Sequence, residues 1–326
     1  MTSTPDLLAD LAGHTIIVVG DLMLDHFVVG SVDRISPEAP VPIVRFAREE
    51  YRLGGAANVA ANLQALGGRV EVVGILGDDP EGRRLREKLT RAGVGTSGIT
   101  IDPSRCTTRK TRVVTSRNQQ VARIDYEGDA EAAGRVGAAL MDEIERLAPD
   151  AAAILISDYL KGVVSRNVAA TAIGTARRHG IPVTVDPKVP HSDYYRGATL
   201  VTPNHHEAEA ITHMRVRGDE DVTLCAQRVA EVTGCENVLI TRGEHGMWLH
   251  TPHGDTGFPA EAREVSDVTG AGDTVIATLT LALAAGSSLE DAARLANRAA
   301  GIVVGKFGPA TVSIGELDAS FRRQGD

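Results

Sequence analysis

Cysteine is scarce in this chain of 326 residues. Cys106, Cys225 and Cys235 are scattered and form no C-x-x-C pair, a pattern that supports neither a zinc site nor a disulfide framework. An excess of positive charge is also missing: 34 Lys and Arg stand against 43 Asp and Glu, a net charge of -9. A nucleic-acid binder would normally carry a basic face, so that partner class is set aside. No apolar run reaches the ~18 residues that a membrane span needs; the longest, Val275 to Ala285, is broken by threonines. The first ten residues carry two acids and no basic start, unlike a secretory leader. Low-complexity segments are absent as well. These absences lead to the expectation of a soluble cytoplasmic protein with no membrane or nucleic-acid partner.

What is present is enough for a sizeable core, with 43% hydrophobic residues. The length fits one large α/β domain or two smaller ones. Thr15 to Val19 is a β-branched run closed by Gly20-Asp21, the pattern of a buried parallel strand. Arg69 to Leu76, Ala152 to Ile156, Ile181 to Val185, Thr199 to Thr202 and Asn237 to Ile240 repeat it. Helical patterns lie between them, at Val59 to Leu66, Asp79 to Leu89, Arg135 to Leu147, Arg166 to His179 and Leu224 to Thr233. Beyond them, Asp291 to Val304 reads as a helix and Lys306 to Ile314 as a closing loop and strand. Strand after strand ends in polar residues: Asp21 and Asp25, Ser157-Asp158-Tyr159, Asp186-Pro187-Lys188, Asn204 to Glu207, and Thr241 to Glu244. A parallel sheet gathers such ends on one rim, where open α/β sheets bind ligands. Two sections break the alternation, about 25–53 and 105–126. They read as the halves of a small β lid inserted within a single domain spanning 1–326.

The sequence Ser266-Asp267-Val268-Thr269-Gly270-Ala271-Gly272-Asp273-Thr274 opens onto the apolar run Val275 to Ala285. Its closely spaced glycines allow a tight turn into a buried helix, whose first amides point outward and suit an anion. Asp273 falls in that first turn. On spacing alone two readings stay open: the acid complements the helix dipole, or it is a general base taking a proton from a hydroxyl that attacks a phosphate.

The stretch Arg105 to Arg123 holds Arg105, Arg109, Lys110, Arg112, Arg117 and Arg123 and no acid. Such residues either protect an edge strand from pairing or bind the phosphate of a phosphorylated substrate. Asn204 and Glu207, three apart at a strand-to-helix junction, can face Mg²⁺, which keeps several of its waters. His205 and His206 point in different directions and lack a third ligand, so zinc is not expected. Lys188 is either solvated or neutralises phosphate charge, and Thr241 and Gly243 either line a nucleotide or form a plain turn. Gly93 to Gly98 matches G-x-G-x-x-G but follows a helix and enters a strand, so it is not a dinucleotide fingerprint. Gly301 to Lys306 falls short of a P-loop.

Taken together, Asp267 to Asp273, Gly54-Gly55-Ala56-Ala57-Asn58 and the N-x-x-E of Asn204 to Glu207 resemble the signatures of the ribokinase-type (PfkB) carbohydrate kinases, in the right order along nearly the whole chain. Three further cues are similar to the branch of that family acting on a heptose 7-phosphate. They are Arg34 to Pro42, Lys110-Thr111-Arg112 with Gln119-Gln120 and Arg123-Ile124-Asp125, and Ser157 to Gly162. The resemblance implies a three-layer α/β ribokinase-like fold with a mostly parallel sheet and a β lid that serves as a homodimer contact. It implies ATP and Mg²⁺, with phosphorylation at the sugar C1 hydroxyl. It assigns Asp273 as base and Gly270, Ala271 and Gly272 as anion hole. Asp25, Arg34, Gly54, Gly55, Asn58, Lys110, Arg112, Gln120, Arg123, Asp158 and Lys161 are assigned to the sugar phosphate. Lys188, Asn204, Thr241, Gly243, Gly246 and Asn297 are assigned to ATP, and Asp267 and Thr269 to a monovalent cation such as K⁺. Many such kinases carry a fused adenylyltransferase domain, and that activity is expected elsewhere. Another sugar kinase, or a non-catalytic sugar or nucleotide sensor on the same fold, are the alternatives.

Overall fold

The computed structural model describes residues 8, 10–117, 119–261, 266–306, 308 and 310–322. The reading of residues 1–10 as no leader therefore falls almost wholly outside the described residues. The central sheet has nine strands in the order β13-β12-β11-β10-β9-β8-β1-β4-β5. Its parallel part comprises β1 (Thr15–Gly20), β4 (Arg69–Leu76), β5 (Gly95–Ile101), β8 (Ala153–Ser157), β9 (Val183–Asp186), β10 (Leu200–Val201) and β11 (Val238–Thr241). β12 (Met247–Thr251) and β13 (Gly254–Phe258) add an antiparallel hairpin at one edge.

Alternation along each strand builds two cores, one on either face. In β1, Ile16 and Val18 pack on one side and Ile17 and Val19 on the other, all fully buried. The first face is covered by α1 (Ala56–Ala65), α2 (Pro80–Arg91), α7 (Ala271–Ala284), α8 (Leu289–Val303) and α9 (Ile314–Arg322). The second is covered by α3 (Gly134–Leu147), α4 (Arg166–His179), α5 (His205–Thr212) and α6 (Asp219–Thr233). This is the expected three-layer α/β arrangement. The helices begin where their caps dictate: the Asp79 carboxylate accepts the Gly82 N–H at 2.7 Å, with Pro80 at the first helical position.

The two irregular sections form a separate four-stranded sheet in the order β3-β2-β6-β7. It comprises β2 (Leu22–Ile35), β3 (Pro42–Gly55), β6 (Arg109–Thr115) and β7 (Gln120–Tyr126). β2 and β3 are 14 residues each and form one long ribbon. Pro37, Pro40 and Pro42 sit at the tip, in and beside the 36–41 connection.

One expectation fails. No strand forms among the described residues of 306–313; they lead into α9, which was not anticipated. The β12–β13 hairpin was likewise unread. Among the described residues, no helix is long and apolar enough to cross a membrane.

Candidate active site

The rim formed by the carboxyl ends of β1, β8, β9, β10 and β11 faces the lid, and the N-terminus of α7 closes it from below. Gly270 caps α7 at φ 80°, a conformation an L-residue adopts only under strain. The turn that follows leaves the first-turn amides of Gly272 and Asp273 without intrahelical carbonyls.

Two cavities meet at this turn. The first, about 270 Å³, lies under the lid. Asp25, Gly54, Gly55, Asn58, Lys110, Arg112, Lys188, Asn204, Glu207 and Thr269 line it, together with Gly270 and Asp273. The second, about 810 Å³, is lined by Gly243, Gly246, Ala271 and Asn297, with apolar walls from Val268, Val275, Ala300 and Val304. Gly272 and Thr241 border both. Fourteen of the candidate positions from distant parts of the chain thus converge on the first cavity.

Asp273 is buried at 6% exposure and carries no ion pair among the described residues. The Asn58 amide donates to one of its oxygens at 2.6 Å and the Tyr159 hydroxyl to the other at 2.5 Å. Burial pushes its pKa up to about 6, and Asp25 adds to the rise, while the two hydrogen bonds and Lys188 oppose it. A carboxylate with that proton affinity is poised near neutrality, as a general base requires. Both open readings of Asp273 retain its place at the helix start, but its two donors and the cavity in front of it go beyond dipole compensation.

Charge elsewhere in the cavity is paired. Arg112 bonds to Asp25. Lys110 lies 3.5 Å from both Asp125 and Glu127. Lys188 contacts Glu207 at 2.5 Å. Burial pushes Asp186 up to about 7, with Lys188 opposing and Glu207 reinforcing. Part of the Asp186 surface faces the cavity, yet protein walls surround it, so desolvation still governs. Burial works against the Lys188 ammonium, but Asp186 and Glu207 outweigh it and hold the charge on.

Asn204 and Glu207 form a reciprocal capping box at α5: the Glu207 N–H donates to Asn204 Oδ1 at 2.9 Å, and the Asn204 N–H to the Glu207 carboxylate at 3.0 Å. Among the described residues no three His, Cys, Asp or Glu gather closely enough to hold a metal. His205 and His206 only tilt against each other, with ring centroids 3.8 Å apart.

Several candidates lie off the first cavity. Asp158 points into the protein, fully buried, and accepts from Tyr195 and His191 at 2.8 and 2.6 Å; its task is to brace two loops. Lys161 pairs with Glu127 at 2.8 Å beside a much smaller recess. Arg34 and Gln120 are exposed on the lid, and Arg123 folds back onto Asp125 at 3.0 Å. Asp267 accepts from the Thr269 N–H and hydroxyl and from the Gly308 N–H, which hold its carboxyl below the usual range against the effect of burial. The residues missed are Met23, Tyr159, Asp186 and Thr202, all lining the cavity. Tyr159 and Asp186 stood in the strand-end motifs, but nothing in the spacing singled them out.

The pfkB family carbohydrate kinase pattern matches residues 14–314. The bifunctional protein HldE of Geobacter sulfurreducens is 47% identical over 317 residues, covering 96% of this chain and 64% of its own length. That of Paramagnetospirillum magneticum is 45% identical over 315 residues, with 96% and 64% covered. The chain therefore spans a little under two thirds of these relatives. Among solved structures, Arabidopsis thaliana ribokinase complexed with ribose and ATP superposes with a TM-score of 0.77 at 20% identity, covering 95% of this chain and 99% of that one. Phosphofructokinase-2 from Escherichia coli in complex with potassium gives 0.79 at 19%, with 96% and 99% covered; at such identities the likeness speaks for the fold. With the family pattern spanning nearly the whole chain and relatives at this identity, the protein belongs to the pfkB family of carbohydrate kinases, phosphotransferases acting on sugars.

Proposed function

We propose that this kinase transfers the terminal phosphoryl group of ATP to the C1 hydroxyl of D-glycero-β-D-manno-heptose 7-phosphate, giving the 1,7-bisphosphate used for ADP-heptose. The observation that carries the reading is the position of Asp273 in the smaller cavity, next in sequence to Gly272, which with Thr241 borders both cavities. The larger cavity, with its apolar walls, suits a nucleoside, and the smaller, polar one suits a sugar. Lys110 and Arg112 supply the cationic side of the smaller cavity, in keeping with a substrate that already bears a phosphate. The name HldE of the relatives, which match over the kinase-length segment, supports heptose as the sugar.

In this reading the sugar lies between β2 of the lid and α1, against Asp25 and Asn58. Its C1 hydroxyl gives its proton to the Asp273 carboxylate as the oxygen bonds to phosphorus and the bond to the departing ADP oxygen breaks. The open amides at Gly272 and Asp273 stabilise the charge that develops on the transferring group. Lys188 neutralises phosphate charge from the side.

Magnesium fits the donor set, since Asn204, Glu207 and Asp186 offer hard oxygens around one part of the cavity wall. With no three-ligand cluster among the described residues, it would be held mainly by waters and nucleotide phosphates. When bound it would supply positive charge that offsets the phosphate charge. The lid also presents Ile35, Val41 and Phe46 at 60%, 52% and 61% exposure, in keeping with a homodimer closed through this sheet.

The test is ADP release with heptose 7-phosphate against the unphosphorylated heptose and a panel of other sugars and sugar phosphates. A clear preference for heptose 7-phosphate is expected. Preference for a different sugar would move the assignment within the family, and no release with any sugar would favour a sensor.

A further inference from the structure

Asp21 lies at 1% exposure just beyond the end of β1, and it does not line either cavity that meets at the α7 turn. No cation pairs with it among the described residues. Its carboxylate instead accepts three main-chain N–H groups of one loop: Tyr159 at 2.8 Å and Lys161 at 3.0 Å on one oxygen, and Val163 at 3.0 Å on the other. That loop runs from the end of β8 and contains Leu160 at φ 57°, an unfavourable conformation for a leucine. Its only side chain in the first cavity is Tyr159, whose hydroxyl donates to Asp273 at 2.5 Å.

The main chain of Asp21 acts on the other donor. Its carbonyl accepts the Ala56 N–H at 3.1 Å, at the first residue of α1. Two residues on, α1 presents Asn58, the second group donating to Asp273. One buried residue is therefore bonded to both segments that hold the carboxylate at the reacting centre.

We propose that Asp21 and Tyr159 form a positioning relay, in which the Asp21 carboxylate fixes the 158–163 loop so that the Tyr159 hydroxyl keeps Asp273 ionised and aimed at the sugar hydroxyl. This rests on Asp273 being the proton acceptor. A buried acid with no cation is costly unless its hydrogen bonds are met, and here all three of these bonds are spent on one loop. Burial raises the proton affinity of Asp21 while these N–H groups oppose it. Tyr159 stays protonated, because burial and the neighbouring Asp273 push its hydroxyl well above its ordinary range, so it acts as donor throughout the working pH range. The other charged groups lining the cavity with Asp273 are Asp25 from β2, Lys110 and Arg112 from β6, Asp186 and Lys188 at and beyond the end of β9, and Glu207 from α5. Lys188 Nζ lies 5.5 Å from the centre of the Tyr159 ring, a ring that Tyr159→Phe keeps.

The test is the pH dependence of kcat/KM for ADP release with heptose 7-phosphate in the wild type, Tyr159→Phe, Asp21→Asn and Asp273→Asn. Loss of one hydrogen bond to a carboxylate corresponds to a shift of about one pH unit. Tyr159→Phe should therefore move the acid limb up by about one unit, with a roughly tenfold loss below the limb and a small loss at about pH 8. Asp21→Asn should move the limb the same way, and the double variant should move it no further than Tyr159→Phe alone. An unmoved limb in Tyr159→Phe overturns the relay even if the rate falls at every pH, since uniform loss marks a merely structural role. If Asp21→Asn fails to fold, Tyr159→Phe still decides. Substantial activity in Asp273→Asn would remove the base assignment itself, an outcome distinct from an unmoved limb in Tyr159→Phe with Asp273→Asn inactive.

Discussion

Asn58 and Asp273 are 215 positions apart in the chain, yet the amide of one donates to the carboxylate of the other at 2.6 Å. The contact depends on how α1 is launched. Gly55 precedes it at φ 55° and ψ -137°, a region essentially closed to residues with a Cβ. A Cβ there would also stand 2.6 Å from the Asp21 carbonyl oxygen, a main-chain atom with little room to yield. Gly55→Ala should cost about 1–3 kcal/mol of stability and, by shifting the start of α1, lower kcat at temperatures where the protein remains folded. Urea denaturation and steady-state kinetics measure the two effects; full activity in a folded variant would show that Asn58 tolerates the displacement.

Lys110 sits on β6 where the lid covers the smaller cavity, held between Asp125 and Glu127. If it receives the phosphate of the substrate, Lys110→Ala should raise KM for heptose 7-phosphate by about tenfold or more, in line with a charge-assisted hydrogen bond of about 1.5–3 kcal/mol. KM for the unphosphorylated heptose should change little. Equal effects on both sugars would return the basic stretch to edge protection.

Asp186 gives a prediction about stability. Burial pushes its carboxyl up to about 7 in the folded protein, against 3.8 for an unperturbed aspartate side chain. Between those values the folded chain holds a proton that the unfolded chain has released, so stability falls as pH rises across that window. Asp186→Asn removes the fall. From about pH 5 to about pH 8 the variant should gain about 1–4 kcal/mol relative to wild type, read from urea midpoints at both pH values. An identical pH slope in the two proteins would contradict the assignment.

Much of this architecture was legible in the sequence. β-branched runs closed by polar residues marked the parallel strands, and the small residues of Gly54 to Asn58 and Gly270 to Gly272 marked the turns beside the site. Facing direction was harder. Asp158 and Tyr159 are neighbours at the end of β8, and a one-residue difference decides which meets the cavity. The acid goes inward to Tyr195 and His191, and the tyrosine reaches Asp273. The N-x-x-E of Asn204 and Glu207 illustrates a second difficulty, since the same spacing serves a capping box and a cation. The missed α9 had its own signal: Ser313 and Glu316, three apart, bond reciprocally at its start. Met247 and Leu249 alternate with Trp248 and His250 in β12, but five residues are too few to outweigh the surrounding α/β pattern.

The most direct measurement is the turnover of Asp273→Asn with ATP and heptose 7-phosphate, alongside its affinity for ATP. Removal of a general base typically costs about 10²–10⁴-fold in rate, and ATP affinity should stay near that of the wild type because the larger cavity, proposed for the nucleotide, is lined by other residues. A variant that retains most of its turnover would contradict the assignment of this carboxylate as the proton acceptor.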